Sequence, residues 1–141
     1  MQIWFYKAEY GDWCDKFISW GTGGPYSHVE LVFSDGECFT SSPRDGGVRF
    51  KTIPLSDKWT VIDIGNKEKE AAVKECCRKQ LGKKYDWLGA FGCGIGLSWL
   101  TSEDKWFCSE IVGFILNNMQ LKQLPTMPTP NAMYQELLDS Q

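Results

Sequence analysis

Two alternating apolar runs on either side of Asp35-Gly36 constrain this chain more than any other feature. Asp-Gly between such runs is the strongest short-range hairpin signal, because the glycine takes the positive φ that a tight turn needs. The expected strands are 27–34 and 37–42, joined through Ser34-Asp35-Gly36-Glu37. Period-two geometry puts His28, Glu30 and Val32 on one face, and Val29, Leu31 and Phe33 on the other. A two-residue turn at 35–36 pairs residue 30 with residue 41, which sets Ser41 on the face of His28. A shift of one residue selects Thr40 or Ser42 instead.

The remaining pattern alternates short strands with helices. A strand is expected at 2–8, then a helix whose inner face carries Trp13, Phe17 and Trp20, with Cys14 off that stripe. Gly21-Thr22-Gly23-Gly24-Pro25 ends this helix. Strand candidates follow at 48–53 and 59–64. An amphipathic helix over 67–81 turns Ala72, Val73, Cys76, Cys77, Gln80 and Leu81 inward and stops at Gly82. A helix at 108–119 has Cys108, Ile111, Val112, Ile115 and Met119 on one stripe. Thr129-Pro130 supplies the N-cap and first-turn proline of a last helix at 130–139. No internal repeat or second core appears in the 141 residues, so the expectation is one α+β domain over 1–141, an antiparallel sheet packed against helices.

Composition removes several function classes. A net charge of −3 and a pI near 5.2 leave no basic stripe to displace counterions, so no nucleic-acid partner is expected. No run reaches the roughly 18 apolar residues of a transmembrane segment. The start Met1-Gln2-Ile3-Trp4-Phe5-Tyr6-Lys7 lacks a basic region followed by an apolar run, which predicts a cytoplasmic chain with reduced thiols. One histidine and no Cys-x-x-Cys spacing argue against zinc or another bound metal. Gly92-Cys93-Gly94-Ile95-Gly96 lacks the lysine and preceding strand of a phosphate-binding loop, so it reads as a mobile loop near the site. No cofactor is expected, and nothing fixes an oligomeric state.

His28 is the only histidine, hence the one general base with an ordinary pKa near neutrality. Cys108 lies in the first turn of its helix, where free N–H groups and the positive dipole end favour a thiolate. Each also has a bland reading: Cys108 as a small core residue, His28 as a satisfied strand-end residue. Glu30 either orients His28, binds a cationic group of a substrate, or is a solvated carboxylate. Arg44, Asp45 and Arg49 either recognise an anionic substrate or form exposed ion pairs.

Three segments, Ser27-His28-Val29, Gly82-Lys83-Lys84-Tyr85-Asp86 and Trp106-Phe107-Cys108-Ser109-Glu110-Ile111-Val112, follow one another in a specific order. In these, over roughly residues 10–120, the chain resembles the circularly permuted papain-like cysteine hydrolases, the YaeF/YiiX-like branch of the NlpC superfamily. The resemblance implies a permuted papain-like (NlpC-type) fold, with Cys108 as nucleophile and His28 as its base. It also implies Tyr85 beside the nucleophile, holding substrate or oxyanion, and the Cys108 N–H as oxyanion donor. The family usually takes the histidine-orienting residue, often glutamate, from the strand after the histidine strand. Here that strand, Glu37 to Ser42, has no carboxylate beyond Glu37, so the candidates are Glu30, Thr40 and Ser41.

The implied function is a bacterial or phage cysteine peptidase or amidase that cleaves a peptide-like amide, with cell-wall stem peptides as one such substrate. If phage-encoded, it would be released by lysis. One rival is a lipid-directed acyl hydrolase or acyltransferase, hinted at by the apolar 87–100 segment that Trp87 opens. Another is a non-catalytic binding or assembly protein that retains the fold. Arg44 and Trp87 are the weaker candidates for substrate contact.

Overall fold

The computed structural model describes residues 1–86 and 105–140, apart from the side chains of Trp13, Cys14 and Phe17. The expected inner stripe at Trp13 and Phe17, the Cys14 position, the glycine-rich segment at 92–96 and Trp87 therefore lie outside the described residues. The described strands form one sheet: β1 (Gln2–Lys7), β2 (Tyr26–Val32), β3 (Glu37–Ser42), β4 (Gly47–Thr52), β5 (Trp59–Asp63), β6 (Lys84–Tyr85) and β7 (Lys105–Trp106), in the order β5-β1-β2-β3-β4-β6-β7. Every pairing is antiparallel except that of β6 with β7. The helices are α1 (Trp13–Thr22), α2 (Glu70–Arg78), α3 (Cys108–Asn118) and α4 (Pro130–Asp139). None among the described residues is long and apolar enough to cross a membrane.

The hairpin forms where Asp35-Gly36 calls for it, but with a longer loop than the two-residue turn. The Phe33 N–H donates to the Glu37 carbonyl at 2.9 Å, the Gly36 N–H donates to the Phe33 carbonyl at 3.0 Å, and Gly36 has φ +86°. That is a three-residue loop closed by a glycine in the left-handed region. It pairs Leu31 with Phe39 and Val32 with Cys38, so residue 30 faces Thr40 rather than Ser41.

One sheet face, with Ile3, Phe5, Val29, Leu31 and Phe39, packs against Val73 and Cys77 of α2, Ile111, Val112 and Ile115 of α3, and Met133 and Leu137 of α4. Each such side chain removed from water contributes about 1.5–3 kcal/mol, and this burial sets where α3 lies. The stripe read for α3 faces the core, with Met119 half-buried at its end. In α2 only Val73 and Cys77 of the expected face are buried. The segment 67–69 is a 3-10 turn and Leu81 is exposed. Trp20 departs further, at 79% exposure. Helix α1 docks through the side that carries Ile18 and Thr22, and at 100° per residue Trp20 then points away.

Helix α4 begins as read, with the Thr129 hydroxyl accepting from the Ala132 N–H at 3.0 Å and Pro130 in the first turn. Its buried Asn131 accepts from the Tyr26 N–H at 2.9 Å and donates to the Tyr26 carbonyl at 3.0 Å and the Thr22 hydroxyl at 2.6 Å. This one amide ties α4 and α1 to the residues that lead into His28.

Candidate active site

Strand β2 presents His28 and Glu30 on one face, two residues apart, so their side chains project in parallel. Nε2 of His28 lies 3.0 Å from Oε1 of Glu30. Glu30 is 0% exposed and is met by a fork: Arg49 Nη1 donates to Oε2 at 2.8 Å and Nη2 to Oε1 at 2.7 Å. A buried carboxylate is tolerable only with such compensation. Behind it, Arg49 Nε donates to Asp45 at 2.8 Å, and Lys51 donates to the other Asp45 oxygen at 3.0 Å.

The sheet lattice explains how Arg49 arrives there. Arg49 is paired with Thr40, and Thr40 lies opposite Glu30, so the three residues form one row across β4, β3 and β2. Two strand spacings are about 9.6 Å, within reach of an arginine provided the residue between is small. Thr40 is small, and its hydroxyl turns aside to donate to the Val29 carbonyl at 2.8 Å.

Cys108 enters from α3. Phe107, at φ −98° and ψ 170°, is the extended N-cap, so Cys108 is the first helical residue and its N–H is not needed by the helix. The approach to the helix is pinned twice at the Trp106 carbonyl, by the Ser41 hydroxyl at 2.6 Å and the Asp86 N–H at 3.0 Å. Cys108, 4% exposed, stands close enough to His28 for charge interaction and hydrogen bonding to strengthen the imidazole's hold on its proton.

The electrostatics follow from these neighbours. Burial disfavours the imidazolium, but charge interaction and hydrogen bonding with Cys108 and Glu30 outweigh it and lift His28 to about 10. Burial likewise pushes Glu30 up, yet hydrogen bonds from Arg49 and His28 hold it below the ordinary carboxylate range. Glu110, one turn into α3 and near the buried Asp86, is pushed up to about 7, chiefly by burial.

A narrow cleft of about 10 Å³ opens beside Cys108, lined by Ile18, Thr22, Ser27, Tyr85, Phe107, Cys108 and Pro130. Tyr85, one of the residues read from sequence, is thus brought to Cys108. The hydroxyl candidates for orienting His28 are not: Thr40 donates to Val29 and Ser41 to Trp106, because the three-residue loop and the β6–β7 pair give each a carbonyl partner. Arg44 is 65% exposed on its side chain and bound to Asp12 at 3.1 Å and Asp15 at 3.0 Å, which makes it an ion-pair residue rather than a free anion receptor. Asp15 in turn accepts from the Ser27 hydroxyl at 2.8 Å, beside His28. The part of Arg49 escaped sequence reading, since it depends on the register at Thr40. Asn131 escaped too, having no local signal.

No family model matches the chain, and no curated protein matches it. Among solved structures it is similar in fold to the crystal structure of metalloprotein yiiX from Escherichia coli O157:H7, DUF1105, with a TM-score of 0.57 and 23% identity. The match covers 84% of this chain and 64% of that one, so this chain spans less than two thirds of that protein's length. That neighbour is described as a metalloprotein. Among the described residues of this chain, no group of three His, Cys, Asp or Glu side chains is arranged to hold a metal ion, and Glu30 is already taken up by Arg49. The chain is a mixed α+β protein with a yiiX-like fold.

Proposed function

We propose that this protein is a cysteine hydrolase of the permuted papain-like kind, cleaving a peptide-like amide through an acyl-enzyme on Cys108. The observation that carries this reading is the chain of contacts from Cys108 through His28 and Glu30 to Arg49. Cys108 sulfur attacks the substrate carbonyl carbon, and the Cys108 N–H stabilises the developing oxyanion. The C–N bond breaks as His28 passes its proton to the departing amine. A water then attacks the thioester and gives its proton to His28, the C–S bond breaks, the carboxylic acid product leaves and the Cys108–His28 pair is restored. A protonated His28 beside the sulfur suits an amide, because an amine leaves only when protonated, whereas an activated ester needs no such help. Tyr85, on the cleft wall, positions the substrate.

A second reading is favoured by the wall of that cleft. Ile18, Tyr85, Phe107 and Pro130 offer apolar contact near the thiol, which suits the acyl chain of a lipid ester in a hydrolase or acyltransferase. Incubation with muropeptides and with acyl esters, against a Cys108→Ala control, separates the two. Cys108-dependent release of amine supports the amidase, and turnover of acyl esters alone supports the lipid enzyme. No turnover of either, with Cys108 unreactive, overturns both in favour of a binding protein.

A further inference from the structure

We infer that Arg49 is a positioning residue that keeps Glu30 ionised in both protonation states of His28, so that the imidazole can give up its proton without stranding a buried carboxylate. This rests on the reading of Cys108 and His28 as a catalytic pair. Were His28 the only partner of Glu30, the pair would be compensated only while it kept a proton, and a buried carboxylate left alone costs several kcal/mol. The proton would then be trapped where the reaction needs it to move. The fork from Arg49 removes that dependence, because Glu30 keeps two charged hydrogen bonds when His28 is neutral. Asp45 and Lys51 extend the alternation of charge outward to solvent, so Arg49 is itself compensated.

The titratable and charged groups around the pair come from each packed element. Tyr6 lies opposite His28 on β1, Cys38 and Arg49 come from β3 and β4, and Cys108 from α3. Asp15 and Arg44 stand behind Tyr6. Of these only Arg49 donates to Glu30 from the side away from the imidazole. A hydroxyl or amide at position 49 would give Glu30 a hydrogen bond but no charge.

The lone histidine makes the test direct. In a Cys108→Ala background, which removes the thiol, the His28 ring resonances are followed by NMR against pH, alone and with Arg49→Met or Arg49→Lys. The expected result is that Arg49→Met raises the pH at which the His28–Glu30 pair loses its last proton by at least about one unit, a tenfold change. Arg49→Lys keeps the midpoint near that with Arg49, and Arg49→Met has no effect once Glu30→Gln is also present. A midpoint unmoved or lowered by Arg49→Met overturns the inference. Should Arg49→Met not fold, the Glu30 carboxyl carbon, assigned through Glu30→Gln, decides with Arg49 intact. It stays at its carboxylate position while His28 titrates, and a carboxyl that titrates together with His28 overturns the inference. Slow alkylation of Cys108 in the unaltered chain would instead overturn the catalytic reading and leave this coupling standing.

Discussion

The Oε1 atom of Glu30 lies 3.0 Å from Nε2 of His28, two residues away on the same strand. A carboxylate on the histidine's own strand shares its pleat, so their relation does not depend on how β2 pairs with its neighbour. The cost is burial: Glu30 needs a cation, and the next strands supply Arg49.

Glu30→Gln keeps the shape and removes the charge that favours the imidazolium. The rate at which iodoacetamide alkylates Cys108 at pH 6–7 should fall by about tenfold, since a neutral amide no longer supports the His28 imidazolium beside the sulfur. Alkylation rates of the two proteins at one pH read this loss.

Thr40→Val and Ser41→Ala each remove a hydrogen bond to a carbonyl and leave the His28–Glu30 contact alone. Both should lower unfolding stability by about 1 kcal/mol while leaving the pH profile of Cys108 alkylation in place. Denaturant melts beside alkylation kinetics check the pair. A moved profile in either variant would return the orienting role to a hydroxyl.

The comparison with the sequence divides along physical lines. The α3 stripe, the Thr129-Pro130 start of α4 and the Asp35-Gly36 turn were legible, because each rests on residues a few positions apart. The sequence leaves the partner of His28 open among Glu30, Thr40 and Ser41, because choosing needs the register. That register hangs on a one-residue difference in loop length, which Asp-Gly allows either way. Arg49 became informative only once Thr40 stood between it and Glu30. Trp20 is exposed against the expectation because a stripe of aromatics gives the period of a helix, not which side docks.

Glu110 is raised to about 7 from its ordinary 4.5. A carboxyl shifted this way holds its proton more tightly folded than unfolded. It leaves stability unchanged below the unfolded value near 4.5 and lowers it as the pH rises from there through about 7. Glu110→Gln should therefore be nearly neutral at pH 4.5 and stabilising by about 1–3 kcal/mol at pH 8, as the gap in Tm between the two proteins at each pH will report.

Gly47 has φ +142°, and a Cβ there would lie 2.2 Å from the Lys83 carbonyl oxygen, where β4 meets the segment leading to Tyr85. Gly47→Ala should cost at least about 2 kcal/mol by combining strain with a backbone clash. Thermal unfolding measures the loss.

Competitive labelling of the intact protein with iodoacetamide at pH 6–7, read by mass spectrometry at each cysteine, tests the Cys108–His28 pair most directly. The expected result is that Cys108 is modified well ahead of Cys38, Cys76 and Cys77, and that His28→Ala abolishes the lead. Equal, slow modification of all of them in the unaltered chain would contradict the account.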